Sequence, residues 1–251
     1  MPGLPPSDPL PAGFTRTLPL PGFPQPSIPR APHPCYHSPA MDPAWYIELA
    51  AACVRGSRPD APALADAPLV QWGRDEGLRL HAFKRNAELP RVRAALGALR
   101  GLQPASLLDL GTGRGTFLWP CLDAFPALAV TAIEPDPRRA ERLEATARGG
   151  VSRLSVLRAD ATALPLADDS VDGVTALEVL EHLVDPAAAA REAVRVARRF
   201  VVASVPSGPD DNPGHIQLFT ADRFRALLLD AGARKASLSA VRGHFVLVAM
   251  L

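Results

Sequence analysis

Cysteine is nearly missing: Cys35, Cys53 and Cys121 are the only three in 251 residues. An odd, sparse set without metal-like spacing excludes a secreted disulfide framework. A chain of this length buries a sizeable core without such staples. Neither sign of charge dominates, with 27 basic and 26 acidic residues and a formal net charge of +1. That excludes the broad basic footprint behind non-specific nucleic-acid binding and leaves room only for a small local one. Long apolar runs are also missing; none approaches the ~18 residues of a membrane span. No unit repeats. Lysine is rare, with only Lys84 and Lys235 against a background of arginine; beside the Ala-rich helices this reads as genome composition rather than function. What is left is one medium domain with an appendage.

The appendage is the N-terminal stretch. Residues 1–40 hold 13 of the 28 prolines and three charges, Asp8, Arg16 and Arg30. Proline fixes φ and removes a donor, so this stretch is expected to be a disordered or polyproline-like tail. It has no basic start followed by an apolar core, so it is not a signal peptide. It reads as an inert tail, or as an upstream extension with the true start at Met41, rather than as a Pro-rich ligand for a partner. From residue 41 the texture becomes helical. Asp42 and Pro43 suit an N-cap and first helical position for a helix over 43–54. A linker over 56–70 and helices over 72–85 and 90–100 follow; Val92, Leu96 and Leu99 share one face of the last. Residues 41–103 are thus read as a helical cap.

From residue 104 the pattern alternates. Strands are expected at 106–110, 127–133, 153–158, 171–177 and 200–205. Helices are expected at 116–125, 137–148, 186–197 and 221–231. Strands alternating with helices specify a parallel sheet covered on both faces. Two last strands, 236–240 and 245–251, lie too close for a helical crossover and must pair antiparallel. Residues 104–251 therefore read as an α/β, doubly wound open sheet ending in a hairpin.

In such sheets ligands bind beyond the carboxyl ends of the strands. Asp109-Leu-Gly111-Thr-Gly113-Arg-Gly115 follows the first strand. Alternate glycines allow close backbone approach to a ligand. Thr116 stands where a dinucleotide fingerprint needs its last glycine, which argues against an NAD-type oxidoreductase. Asp109 suits a ligand with an ammonium or sulfonium charge. Glu134 follows the second strand, where an acidic side chain accepts from ribose hydroxyls; Asp136 is read as the N-cap ahead of Pro137. Asp160 and Ala161 follow the third strand, the first suited to an adenine amino group or else to forming a turn. Glu178-Val-Leu-Glu181-His182 follows the fourth.

LLDLGTGRG, AIEPD and RADATALPLADDSVDGVTALEVLEHLVDP, in that order, resemble the motifs of class I S-adenosylmethionine-dependent methyltransferases, in particular the type 11 methyltransferase domain. The resemblance spans about residues 104–206. It implies a seven-stranded Rossmann-like sheet of order 3-2-1-4-5-7-6 with the seventh strand antiparallel. It also implies S-adenosylmethionine as cofactor, with Asp109, Gly111 and Gly113 at its methionine end, Glu134 on the ribose, Asp160 and Ala161 on the adenine and Glu178 near the sulfonium. Ala176 and Leu177 depart from relatives that carry a polar residue just ahead of the glutamate.

The expected reaction is methyl transfer to an O, N or C acceptor. It is an in-line displacement in which proximity does most of the work. His182 and His215 are the candidate catalytic residues. If residues 178–182 are helical, Glu178, Glu181 and His182 share one face, and His215 lies in a loop covering the same site. This set is similar to that of Mg²⁺- or Mn²⁺-dependent small-RNA 2′-O-methyltransferases, an alternative weighed against type 11 relatives that carry the same run without a metal. A non-catalytic binding module of the same fold is the other alternative. Trp45, Tyr46, Trp72 and Arg74 are minor candidates for a substrate pocket; His33, His37, His81 and His244 are given no role. The expected partner is a small-molecule substrate, with RNA less favoured, no membrane, and a cytoplasmic location. Oligomeric state is not legible.

Overall fold

The computed structural model of this protein describes residues 45–85 and 89–251. The Pro-rich tail, Asp42 and Pro43 lie outside the described residues.

Seven strands form one sheet of order β3-β2-β1-β4-β5-β7-β6. They are β1 Ser106–Leu110, β2 Ala129–Ile133, β3 Leu154–Leu157, β4 Val171–Leu177, β5 Ala197–Pro206, β6 Lys235–Val241 and β7 His244–Met250. β1 to β5 run parallel, while β7 pairs antiparallel with both β5 and β6. This is the expected order, hairpin included. The strand order reverses at the parallel neighbours β1 and β4, so the connections that leave them run to opposite sides and open a crevice at their carboxyl ends.

Seven α-helices flank the sheet: α1 Ile47–Ser57, α2 Asp66–Asp75, α3 Pro90–Leu102, α4 Leu118–Ala124, α5 Pro137–Arg148, α6 Pro186–Val196 and α7 Ala221–Asp230. The central strands are apolar on both faces, as burial on both sides demands. Leu107, Val130, Val202 and Val246 join α1 to α5 in one core. Leu108, Val174, Val201 and Leu247 join α6 and α7 in the other. The period of two along each strand divides the residues between them.

Helices α1, α2 and α3 are built into the first of these layers. α1 lies along α5 so closely that a Cβ at Gly149 would strike the carbonyl of Ala52. Helix positions differ from expectation in two places: α1 starts at Ile47 rather than at residue 43, because Trp45 pairs with Lys84 in an isolated bridge and Tyr46 is the N-cap. A helix over 72–85 was expected; α2 instead starts at Asp66, inside the expected linker, and ends at Asp75. Gly77, at φ 82°, turns the chain out of the helix, since a glycine takes this left-handed conformation without a Cβ penalty. A short 3₁₀ turn, His81–Phe83, follows. Pro68 is accommodated because it falls in the first turn of α2, where its missing N–H is not needed. Among the described residues no helix is long and apolar enough to cross a membrane.

Candidate active site

A cavity of about 380 Å³ opens at the carboxyl ends of β1 and β4, within the usual size of small-ligand sites. Its walls include Asp109 of β1 with Gly111, Thr112, Gly113 and Arg114 after it, and Leu177 of β4 with Glu178 and His182 after it. Arg91 from α3, Arg139 from α5 and Asn212 from the loop after β5 complete it.

Gly111, Gly113 and Gly115 all have positive φ, at 60°, 61° and 83°. A Cβ on Gly111 would sit 2.8 Å from the Val179 side chain, whereas one on Gly113 would meet only the Gly111 carbonyl oxygen, at 3.7 Å. The loop is thus a bare backbone cradle. Thr112 N donates to Ile133 O at 3.1 Å, tying the loop to the end of β2. The Trp119 indole donates to Arg114 O at 2.9 Å, tying it to α4.

Asp109 is buried at the floor. Its Oδ1 accepts from the Thr175 hydroxyl at 2.7 Å and its Oδ2 from the Thr112 hydroxyl at 2.9 Å. Burial pushes its pKa up to about 6 against these two donors, and the negative charge of Glu134 adds to the rise. The pairing with Thr175, across β1 and β4, was not foreseen from sequence.

Glu134 stands just behind the loop. Gly113 N donates to one carboxylate oxygen at 2.6 Å and Asp136 N to the other at 3.0 Å. Here the carboxylate holds the glycine loop, and it is not part of the cavity wall. Asp136 is the N-cap of α5, accepting from the backbone N–H of Arg138 and Arg139. Asp160 accepts from both the backbone N–H and the hydroxyl of Thr162 at 2.8 Å. These bonds hold its carboxyl below the usual range. It is the turn-forming aspartate, and neither it nor buried Ala161 lines the cavity. Of the expected cofactor residues, the structure therefore joins Asp109, Gly111, Gly113 and Glu178 in one wall, and sets Glu134, Asp160 and Ala161 outside it.

Residues 178–182 are not one helix. Glu178 takes a left-handed φ of 59° at the end of β4, and only Leu180–His182 forms a 3₁₀ turn. A non-glycine residue pays for that conformation, so its neighbours must hold it. Ser204 donates to its Oε1 at 2.8 Å, and His244 Nε2 lies 2.9 Å from its Oε2. Arg91 Nε lies 3.7 Å away. His244, given no role from sequence, reaches this place because β7 runs antiparallel, which puts its first residue beside Pro206 at the carboxyl edge of the parallel strands. Arg91 was equally hidden, since nothing local marks the second residue of a helix as part of a distant site.

The 3₁₀ turn swings Glu181 away from Glu178 and into the interior. It is fully buried, and neither carboxylate oxygen has a hydrogen-bond partner. Burial, with the charge of Glu178 adding to it, raises its pKa to about 8. The rings of His182 and His215 meet edge to face, with centroids 4.7 Å apart. His182 lines the large cavity; His215 lines a neighbouring one of about 180 Å³ with Pro206, Asp210, Ile216 and Leu218. Trp45, Tyr46, Trp72 and Arg74 belong instead to the α1–α2 layer, where Arg74 lies over the Trp45 ring.

Comparison with known proteins agrees with the geometry. Residues 108–200 match the family described as a methyltransferase domain, of type 11. A Mycobacterium tuberculosis protein named "probable S-adenosylmethionine-dependent methyltransferase" is 36% identical over 132 residues, which is 49% of this chain and 45% of that one. The malonyl-[acyl-carrier protein] O-methyltransferase of Methylococcus capsulatus is 35% identical over 120 residues, 46% of this chain and 43% of the relative. The chain thus spans less than half the length of these relatives. A solved structure, a SAM-dependent methyltransferase from Aquifex aeolicus, superposes with a TM-score of 0.56 at 24% identity, over 65% of this chain and 91% of its own. Sheet order and glycine cradle are those of the class I S-adenosylmethionine-dependent methyltransferase fold, and residues 108–200 of this chain carry the match to a type 11 methyltransferase domain.

Proposed function

We propose that this protein transfers a methyl group from S-adenosylmethionine to an oxygen of a small anionic acceptor. The observation that carries the reading is the single wall formed by Asp109, Gly111, Gly113 and Glu178 at the mouth between β1 and β4. The residues fit the cofactor. A cradle that no Cβ obstructs lets a ligand touch backbone N–H groups. Two carboxylates of this wall, Asp109 and Glu178, face the same space, matching a ligand with ammonium and sulfonium charges. When bound, S-adenosylmethionine supplies a methyl group already activated by its sulfonium. The protein's own task is then alignment in a confined space. Ser204 and His244 fix the Glu178 carboxylate, and Thr112 and Thr175 fix that of Asp109.

An anionic oxygen acceptor is supported by Arg91, Arg114 and Arg139 around the same cavity, because guanidinium groups recognise carboxylates in fixed geometry. The malonyl-acceptor relative points the same way. A carboxylate acceptor carries no proton at neutral pH, so no general base is required for it.

The test is calorimetric titration with S-adenosylhomocysteine, followed by mass spectrometry of methyl products from a malonyl thioester and from an RNA oligonucleotide. Micromolar binding is expected, weakened at least about tenfold by Glu134→Ala through the freed glycine loop. Methyl ester formed only on the thioester supports the acceptor class, and methylated RNA overturns it. Folded protein that binds no S-adenosylhomocysteine overturns the whole reading.

A further inference from the structure

Glu181, His182 and His215 adjoin the cavity, yet the methyl-transfer assignment gives them no work. One donor atom from each lies within 4.8 Å of the others. Three features of the cluster point to a ligand.

The first is Glu181 itself. A buried carboxylate with no hydrogen-bond partner is costly unless a positive charge accompanies it. The nearest candidate is His215, whose Nε2 is 3.9 Å from Glu181 Oε1, too far for a hydrogen bond.

The second is the state of the two imidazoles. His182 Nδ1 is 2.8 Å from the carbonyl oxygen of Gly214, and His215 Nδ1 is 2.7 Å from Asp210 Oδ2. Each oxygen can only accept, so Nδ1 is the donor in each ring and Nε2 is the nitrogen turned to a ligand. At His215 the Asn212 amide nitrogen lies 2.9 Å from Nε2, and a bound cation would displace that contact. A metal-ligating histidine is oriented in this way, its far nitrogen donating to a carboxylate or a backbone carbonyl. Here both kinds of partner are present.

The third is the fit of the loop. A Cβ at Gly214 would lie 3.1 Å from His182 Nδ1. Ile216 N and Gln217 N both donate to the backbone oxygen of Glu181, at 2.9 and 3.0 Å. The loop after β5 is thereby clamped onto the 3₁₀ turn, and the His215 ring is held against that of His182.

We propose that Glu181, His182 and His215 bind a first-row divalent cation of the Mn²⁺ to Zn²⁺ series, with Asp210 and the Gly214 carbonyl orienting the two rings. Two imidazole nitrogens and one carboxylate suit these ions, whereas Mg²⁺ and Ca²⁺ favour oxygen donors. Glu178 is not a ligand, because Ser204 and His244 hold its oxygens. Three protein donors would leave a coordination position open, and His182 borders the cavity between β1 and β4. The site stands without the methyl-transfer reading, since cation binding is measured in the absence of cofactor and acceptor.

The experiment is titration of the chelator-stripped full chain with Co²⁺, followed by visible absorption and calorimetry, with Zn²⁺ and Mg²⁺ as competitors. One equivalent should bind with d–d bands and be displaced by Zn²⁺. Asp210→Asn should weaken binding roughly 10- to 100-fold, the usual effect of losing an orienting partner. His215→Ala and His182→Ala should each weaken it at least as much. Glu181→Gln should do the same; if that variant misfolds, the two histidine variants carry the test. Absence of Co²⁺ bands and heat in folded protein overturns the proposal. So does binding unchanged in both histidine variants, which would put the ion on other residues such as Cys35 and His37, or displacement by Mg²⁺ as readily as by Zn²⁺.

Discussion

Asp109 is the residue in which chemistry and stability meet. Its carboxyl is buried at the cavity floor and raised to about 6 from an ordinary 3.8, by desolvation before all else. A raised folded-state pKa means the folded protein holds the proton more tightly than the unfolded chain. The associated stability is full below pH 4 and lost as pH rises through about 6. Asp109→Asn removes the ionising group. Relative to the parent, the ligand-free variant should gain of order 2 kcal/mol between pH 4 and pH 8, read from urea unfolding at both pH values. The same variant should bind S-adenosylhomocysteine more weakly, because the negative charge facing the cavity is gone. Gain without ligand and loss with it separates a binding carboxylate from a purely structural one.

At the scale of the element, the starts of α5, α6 and α7 are set by local capping side chains, whereas the stretch after β4 is set by tertiary context. Asp136 accepts from Arg138 N and Arg139 N at 2.8 and 3.0 Å, satisfying two donors that the first turn of α5 leaves free. Asp136→Ala should lower Tm by roughly 2–4 °C through the two donors it leaves free. The cap was legible because Asp-Pro ahead of a charged helical run is a local signal. The short stretch after β4 was not. E-V-L-E-H-L has helical composition, yet Glu178 is bent into a left-handed conformation and the turn tightens to 3₁₀ geometry. Ser204, His244 and the backbone of residues 216 and 217 impose this from elsewhere in the chain. The expected helix over 72–85 was misplaced for the opposite reason. Gly77 is a local stop signal that outweighs the helical composition around it.

At the scale of the molecule, the sheet is the rigid part on which both sites depend. Phe200 is fully buried in β5, and Gly173 on β4 leaves the space that its ring fills. Phe200→Ala should cost roughly 3–5 kcal/mol, a large share of a domain's total stability. The expected outcome is a lower urea midpoint together with lost S-adenosylhomocysteine binding. A variant that is destabilised to this extent yet binds normally would show that the cavity does not rely on β4–β5 register.

The sequence by itself determined the alternation of strands and helices, the antiparallel hairpin, the glycine cradle with Asp109, and the N-cap of α5, while the sheet order was implied by the resemblance of its motifs. These follow from short-range signals: apolar runs of strand length, helices between them, and a glycine loop directly after a strand. Tertiary structure alone decided which polar groups meet. Thr175 reaches Asp109 from the neighbouring strand, and Arg91 reaches the cavity from α3. His244 reaches Glu178 only because a reversed strand brings its start to the carboxyl edge. Glu181 and His182 are adjacent in sequence, but one is buried and the other exposed. What unites them with His215 is a loop folded back over more than thirty residues, as the His182–Gly214 hydrogen bond records. Such pairings depend on chain reversal and packing, which residue order along a single chain does not encode locally.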